Sequence, residues 1–174
     1  MTPTPTGWID CSAEIPVLVF ERALPVPIEA AWTVLTKSQL TARWIGSWSG
    51  EAEPGKTIEV VWLAEEGTPA ELVRILWCEA PKRLALATGP DKDRPWLITI
   101  DLHETETGTT LEFRQQMSNG LSPAMVGTGW EFYLDRYAGA LAGNAELPSW
   151  DDHYQQLQPH YEELQAAMAL CTDE

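Results

Sequence analysis

The chain is short of positive charge: 11 Lys and Arg stand against 26 Asp and Glu, a formal net charge of -15 over 174 residues. A surface of that sign repels phosphate backbones and anionic headgroups, so neither nucleic acid nor a membrane surface is expected as a partner. Cysteine is scarce too. Cys11, Cys78 and Cys171 are odd in number, far apart and without a Cys-x-x-Cys pair, which offers neither a disulfide framework nor a thiolate metal site and suits a reducing cytoplasm. No apolar run approaches the roughly 20 residues of a membrane span, and the amino-terminal stretch MTPTPTGWIDCSAEIP has neither a basic segment nor an apolar run of signal-peptide length. Also absent are Gly-x-Ser-x-Gly, a phosphate loop, a dinucleotide fingerprint and a Cys-His pairing, so the common nucleophile and cofactor classes are excluded and no cofactor is expected. His153 and His160 stand at i and i+7 with Pro159 between them. That is not the close i, i+3 or i, i+4 pairing divalent sites favour, so no metal is expected.

What is present in excess is tryptophan, nine residues of it. Large flat side chains in that number fill a core or line a pocket. The length suits one domain with a sizeable core. Residues 1–16, rich in proline and threonine, read as an extended lead-in that packs loosely. Residues 17–24, VLVFERAL, carry β-branched and aromatic types and read as a first strand, ended by Pro25 and Pro27. PIEAAWTVLTKSQLTARW then gives two short helices, with Ile28, Trp32 and Leu35 as the buried face of the first and Ser38 placed to cap the second. The segments SWSGEAE, TIEVVWLAEE, ELVRILWCEA, RLALAT, PWLITIDLHE and TTLEFRQQM, separated by glycine- and proline-bearing turns, read as an antiparallel meander. In the last of them Leu111, Phe113, Gln115 and Met117 alternate inward, and in the one before it Trp96, Ile98, Ile100 and Leu102 form the matching row, while His103 faces out.

The strongest helical pattern is LSPAMVGTGWEFYLDRYAGALAGN, with Ser122 and Pro123 at its start and Gly143 and Asn144 at its stop. Val126, Trp130, Tyr133, Leu134, Tyr137 and Leu141 make its apolar stripe; Glu131 and Asp135, at i and i+4 on its flank, read as a solvated face. Residues 145–174 read as an acidic helical tail, with no Lys or Arg after Arg136 and with Trp150, Tyr154, Leu157, Tyr161, Leu164 and Met168 at helical spacing. This tail either wraps its own domain or clasps a second subunit, so monomer and homodimer are both open.

A strand, two short helices, a meander and a long helix are the order of the helix-grip fold, an α+β architecture in which a curved antiparallel sheet, here of six or seven strands, wraps a carboxy-terminal helix. VPIEAAWTVLT with ARWIG, EAPKRLALATG, and GTTLEFRQQM with GWEFYLDRYAGAL resemble the homologues of the activator of heat-shock-protein ATPase, a branch of the START-like, birch-pollen-allergen-like (SRPBCC) superfamily. The resemblance runs over residues 17–141. It implies a domain at 17–144 and a fold that tends to enclose hydrophobic ligands.

Trp44, Trp62, Trp77, Trp96 and Trp130 then either fill the core or line an aromatic cavity for a flat apolar ligand. On the cavity reading the binding residues are those five together with Phe113, Gln115, Tyr133, Leu134 and Tyr137, and Gln115, Tyr133 or Tyr137 orients a polar end of the ligand or bonds a neighbour instead. The expectation is binding of a small hydrophobic or aromatic molecule between sheet and helix without catalytic residues. A co-chaperone-like module that takes a protein partner is the alternative the family suggests, and an enzyme of the cyclase or dehydratase kind comes last.

Overall fold

A computed structural model describes residues 2–171. Strands β1 (Trp8–Asp10) and β2 (Val17–Leu24) lead into two short helices, α1 (Ile28–Thr36) and α2 (Ser38–Thr41). The meander follows as β3 (Ser47–Ser49), β4 (Thr57–Val61), β5 (Ala70–Glu79), β6 (Arg83–Thr88), β7 (Trp96–Thr105) and β8 (Gly108–Gln116). The long helices α3 (Pro123–Leu141) and α4 (Trp150–Cys171) complete the order. All eight strands form one sheet in the order β1-β2-β8-β7-β6-β5-β4-β3, each antiparallel to its neighbours. It curls round α3 as the helix-grip fold requires, with one strand more than expected.

Period-two alternation sets which side chains meet α3. Leu18, Phe20 and Leu24 of β2, Ile98, Ile100 and Leu102 of β7, and Leu111, Phe113 and Gln115 of β8 are all buried, as is Met117 just beyond, and His103 is exposed. Helix α3 begins at Pro123, whose missing N–H costs nothing there. It stops where Gly143 takes φ +74°, the left-handed conformation that glycine adopts without strain. Ser122 makes no side-chain cap. Nor does Ser38 cap α2: its hydroxyl donates to the Trp48 carbonyl (2.6 Å) and accepts from the Trp48 amide (2.8 Å), tying α2 to β3.

The two ends of the chain differ most from expectation. The amino-terminal segment carries the eighth strand, with Trp8, Ile9 and Asp10 paired to Val19, Leu18 and Val17 of β2. Gly7 just before it is buried. A Cβ at Gly7 would lie 2.7 Å from Phe20 and 2.8 Å from the Tyr161 hydroxyl, so only glycine lets the backbone pass between them. Helix α4 packs on α3 of its own domain, burying His153, Leu157 and Tyr161 and leaving Trp150 and Tyr154 half exposed. Pro159 lies inside it. Cys11 and Cys171 are joined by a disulfide, against the expectation of three unpaired thiols; their 160-residue separation hides the proximity, and Cys78 is free. Asp173 and Glu174, counted in the acidic tail, lie outside the described residues.

Candidate functional site

Between α3 and the part of the sheet formed by β3 to β8 the side chains do not close up. Strands β4 and β5 contribute Ile58, Val60, Val73 and Ile75; β7 and β8 contribute Ile98, Ile100, Leu111 and Phe113; α3 closes the space with Trp130, Tyr133, Leu134 and Tyr137. Together with α1, α2 and the chain that follows them these line a cavity of about 380 Å³. Seven of the ten side chains expected at a binding site are in its wall: Trp44, Trp62, Phe113, Trp130, Tyr133, Leu134 and Tyr137.

The other three lie elsewhere. Trp77 continues the inward row Val73, Ile75 by simple alternation, yet it is half exposed on the outer face beside Arg83, whose guanidinium carbon sits 5.5 Å from its ring. A register shift between Ile75 and Trp77 inverts the alternation, so Cys78 takes the inward place. Trp96 opens β7 opposite Thr88 and lies against Gly89, where an added Cβ would be 3.0 Å from the indole; it packs on the core beyond the cavity. Gln115 faces inward and is 1% exposed, but its carbonyl oxygen accepts the indole N–H of Trp130 at 2.6 Å, so it braces the wall from behind. Sequence reasoning missed Trp32 and Trp48, which line the cavity from α1 and β3. Trp32 stands in the Ile28-Trp32-Leu35 face of α1, and this was the available signal.

Most polar side-chain atoms of the wall are held by the protein itself. The indole N–H of Trp44 donates to the Val34 carbonyl (3.1 Å), that of Trp48 to the Thr36 carbonyl (3.0 Å) and that of Trp62 to the Glu71 carboxylate (3.2 Å). Tyr137 donates to the Ala31 carbonyl (2.7 Å) and Tyr133 to the Glu65 carboxylate (3.0 Å). Burial pushes both tyrosines above the ordinary phenol range, and for Tyr133 the Glu65 charge adds to it, so both keep their protons. Cys78, the other titratable side chain in the wall, is likewise raised by burial. Among the described residues no carboxylate, histidine, lysine or arginine lines the cavity, so it offers a reaction no general base poised near neutrality.

Glu131 and Asp135 lie on another face of α3, where Asp135 is partly exposed and Glu131 has no contact with solvent. Glu131 is fully buried, and its carboxylate accepts the backbone N–H groups of Thr6 and Gly7 (the latter at 3.0 Å), the Thr6 hydroxyl (3.1 Å) and the Tyr161 hydroxyl, and pairs with Arg22. Arg22 reaches Asp135 at 3.0 Å, and Asp135 also bonds His153 at 3.0 Å. The expectation of a solvated face is therefore wrong for Glu131: the inner position of Arg22 on β2, beside Phe20 and Leu24, brings a cation that needs a buried counter-charge. His160 hydrogen-bonds the Gly7 carbonyl (2.9 Å). None of these groups opens on the cavity.

Solved structures of the same fold lie close to this one. The crystal structure of CalU16 from Micromonospora echinospora superposes with a TM-score of 0.72 at 19% identity, covering 94% of this chain and 98% of that one. A protein encoded by BPP1335 of Bordetella parapertussis gives 0.71 at 27% identity, covering 94% and 95%. DynU16, from the dynemicin biosynthetic locus, gives 0.65 at 19% identity over 76% of this chain and 49% of that one. No curated protein matches the chain. Over residues 25–142, from the end of β2 through α3, the sequence matches the family described as activator of Hsp90 ATPase homolog 1-like protein, and with more than half its length matched the chain belongs to that family.

Proposed function

We propose that this protein binds a small, flat, apolar molecule, without covalent chemistry, in the cavity between the β3–β8 part of the sheet and α3. The observation that carries this reading is an apolar space of about 380 Å³ whose buried polar atoms already have partners. An engineered apolar cavity of about 150 Å³ stays dry and takes up benzene. By that measure this one has room for a fused two- or three-ring molecule. Apolar binding sites run from about 300 to 1,000 Å³, so it falls at the small end. In the wall Phe113 packs on Trp130 (ring centroids 4.4 Å apart) and Trp44 on Tyr137 (5.1 Å), and these ring pairs offer faces and edges to a planar guest.

The test fills the space instead of the ligand. Val73 is 4% exposed and lines the cavity, so Val73→Phe places a ring where the guest would lie. Cavity filling typically stabilises by about 0.5–2 kcal/mol. The expected result is a variant that melts as high as the parent or higher and takes up naphthalene at least tenfold more weakly, followed by titration and by the rise in melting temperature that a ligand of the folded state produces. A parent protein that neither carries a small molecule in native mass spectrometry nor gains stability from any apolar aromatic would sink the reading.

A further inference from the structure

The hydroxyls in the cavity wall point to the class of ligand. Five hydroxyl side chains line it, and each has already committed its proton: Thr36 to the Trp32 carbonyl, Thr41 to the Ser38 carbonyl, Thr88 to Glu71, Tyr133 to Glu65 and Tyr137 to the Ala31 carbonyl. The four indole N–H groups already described are committed in the same way. A hydroxyl that has given its proton can still accept. Among the described residues in the wall, the side-chain donors without a protein acceptor are the indole N–H of Trp32 and the thiol of Cys78, and a thiol donates weakly. The cavity is therefore rich in acceptors and poor in donors.

Tyr133 stands out among the acceptors. Its hydroxyl donates to a carboxylate, Glu65, and a group that donates to a charge becomes a better acceptor in turn. Its ring is in the wall, 6.2 Å from Trp62 and 6.1 Å from Trp130. Glu65 and Glu71 stand behind the same part of the wall, through Tyr133, Trp62 and Thr88. Their charge, with a protein net charge of -15 around them, opposes an anionic guest.

We propose that the cavity selects an uncharged, hydroxyl-bearing aromatic molecule, with the Tyr133 oxygen accepting the ligand's hydroxyl proton. This rests on the cavity being a binding site, as argued above. An ether or ketone of the same shape would bury an acceptor among acceptors, and a carboxylate would have to be desolvated beside two acids.

Four probes of one size separate these cases: naphthalene, 2-naphthol, 2-methoxynaphthalene and 2-naphthoate, each titrated by calorimetry against the full-length protein. The expected order puts 2-naphthol about tenfold tighter than 2-methoxynaphthalene, as one good hydrogen bond provides. 2-Methoxynaphthalene should bind no tighter than naphthalene, because its oxygen finds no donor, and 2-naphthoate weakest of all. In Tyr133→Phe the tenfold advantage of 2-naphthol should disappear while naphthalene binds within about threefold of its parental value, which also shows that the variant is folded. Equal binding of 2-naphthol and its methyl ether, or tightest binding of 2-naphthoate, overturns the donor-selective inference and leaves the cavity reading standing. A naphthol advantage that persists in Tyr133→Phe overturns the role of Tyr133. No binding by any of the four overturns the cavity reading, and the inference with it.

Discussion

Helix α3 presents two faces that are built on opposite rules. Towards the sheet it shows Trp130, Tyr133, Leu134 and Tyr137, and the space before them is left open. Towards α4 and the amino-terminal segment it shows Gly127, Glu131 and Asp135, and there Gly127 leaves no room for a Cβ and the buried Glu131 is surrounded by donors. The contrast shows where this fold keeps its freedom. The polar face fixes both ends of the chain on the helix, and such a network specifies one arrangement because a half-satisfied one costs so much. The apolar face is non-directional and tolerates a void, since surrounding strands hold it apart.

Removing Glu131 is the strongest way to break this comparison. In Glu131→Ala, Arg22, whose side chain is 10% exposed, keeps Asp135 as its one counter-charge, and the amides of Thr6 and Gly7 lose the carboxylate they share. Unpairing a buried ion pair costs about 3–5 kcal/mol. That loss should appear in denaturant unfolding. Affinity for an apolar probe of the fraction that remains folded should change less than about threefold, because no atom of the network lines the cavity. A cost under about 1 kcal/mol would mean the two faces do not differ as described.

A glycine pair sharpens the same comparison at smaller amplitude. Gly127 and Gly129 sit two residues apart in α3, on either side of Thr128. An added Cβ at Gly127 would fall 2.0 Å from Tyr161, whereas at Gly129 it meets nothing within 4 Å. Alanine in place of glycine in a helix normally gains about 1 kcal/mol. Gly129→Ala should show that gain. Gly127→Ala should instead lose about 1–3 kcal/mol, because the ring of Tyr161 must move and α4 with it. Equal effects at the two sites, measured by thermal and denaturant unfolding, would show that α4 does not pack tightly on α3.

Legibility in the sequence followed the same division. The inner rows of β7 and β8 were readable because alternation along a regular strand leaves one solution, and the stripe on α3 because 3.6-residue periodicity does the same. Trp77 was misplaced because a one-residue irregularity before it reverses every later side chain, and no residue type there announces it. Arg22 could have been caught: Leu18, Phe20 and Leu24 bracket it on the buried face, so it had to find a carboxylate, and Glu131 was the nearest one on an apolar helix. The three-residue strand β1 could not have been found by pattern, since its length carries no period and its anchor lies 125 residues away. Whether aromatic side chains fill a space or wall it depends on how far β4 and β5 curve from α3, a tertiary quantity that no local pattern encodes.

The smallest effect tests how much of the hold on the amino-terminal strand lies outside the buried network. Asp10, at the end of β1, accepts from the Ser12 hydroxyl (2.6 Å) and amide (3.0 Å) and pairs with Arg114 (2.9 Å). These bonds, those from Ser12 foremost, lower its pKa from 3.8 to about 2. A carboxyl whose folded pKa is depressed contributes stability that is fully present above its unfolded pKa and is lost as pH falls through the folded one. The contribution of Asp10 should therefore be complete above about pH 5 and fade between about 4 and 2. Asp10→Asn should lower stability slightly at neutral pH, and the gap to the parent should close across that window. Because the pair with Arg114 is partly exposed, part of the effect should also vanish in high salt. A gap that stays constant from pH 5 to 2 would show that Asp10 does not secure β1 by its charge, leaving Glu131 as the carboxylate that holds the strand in place.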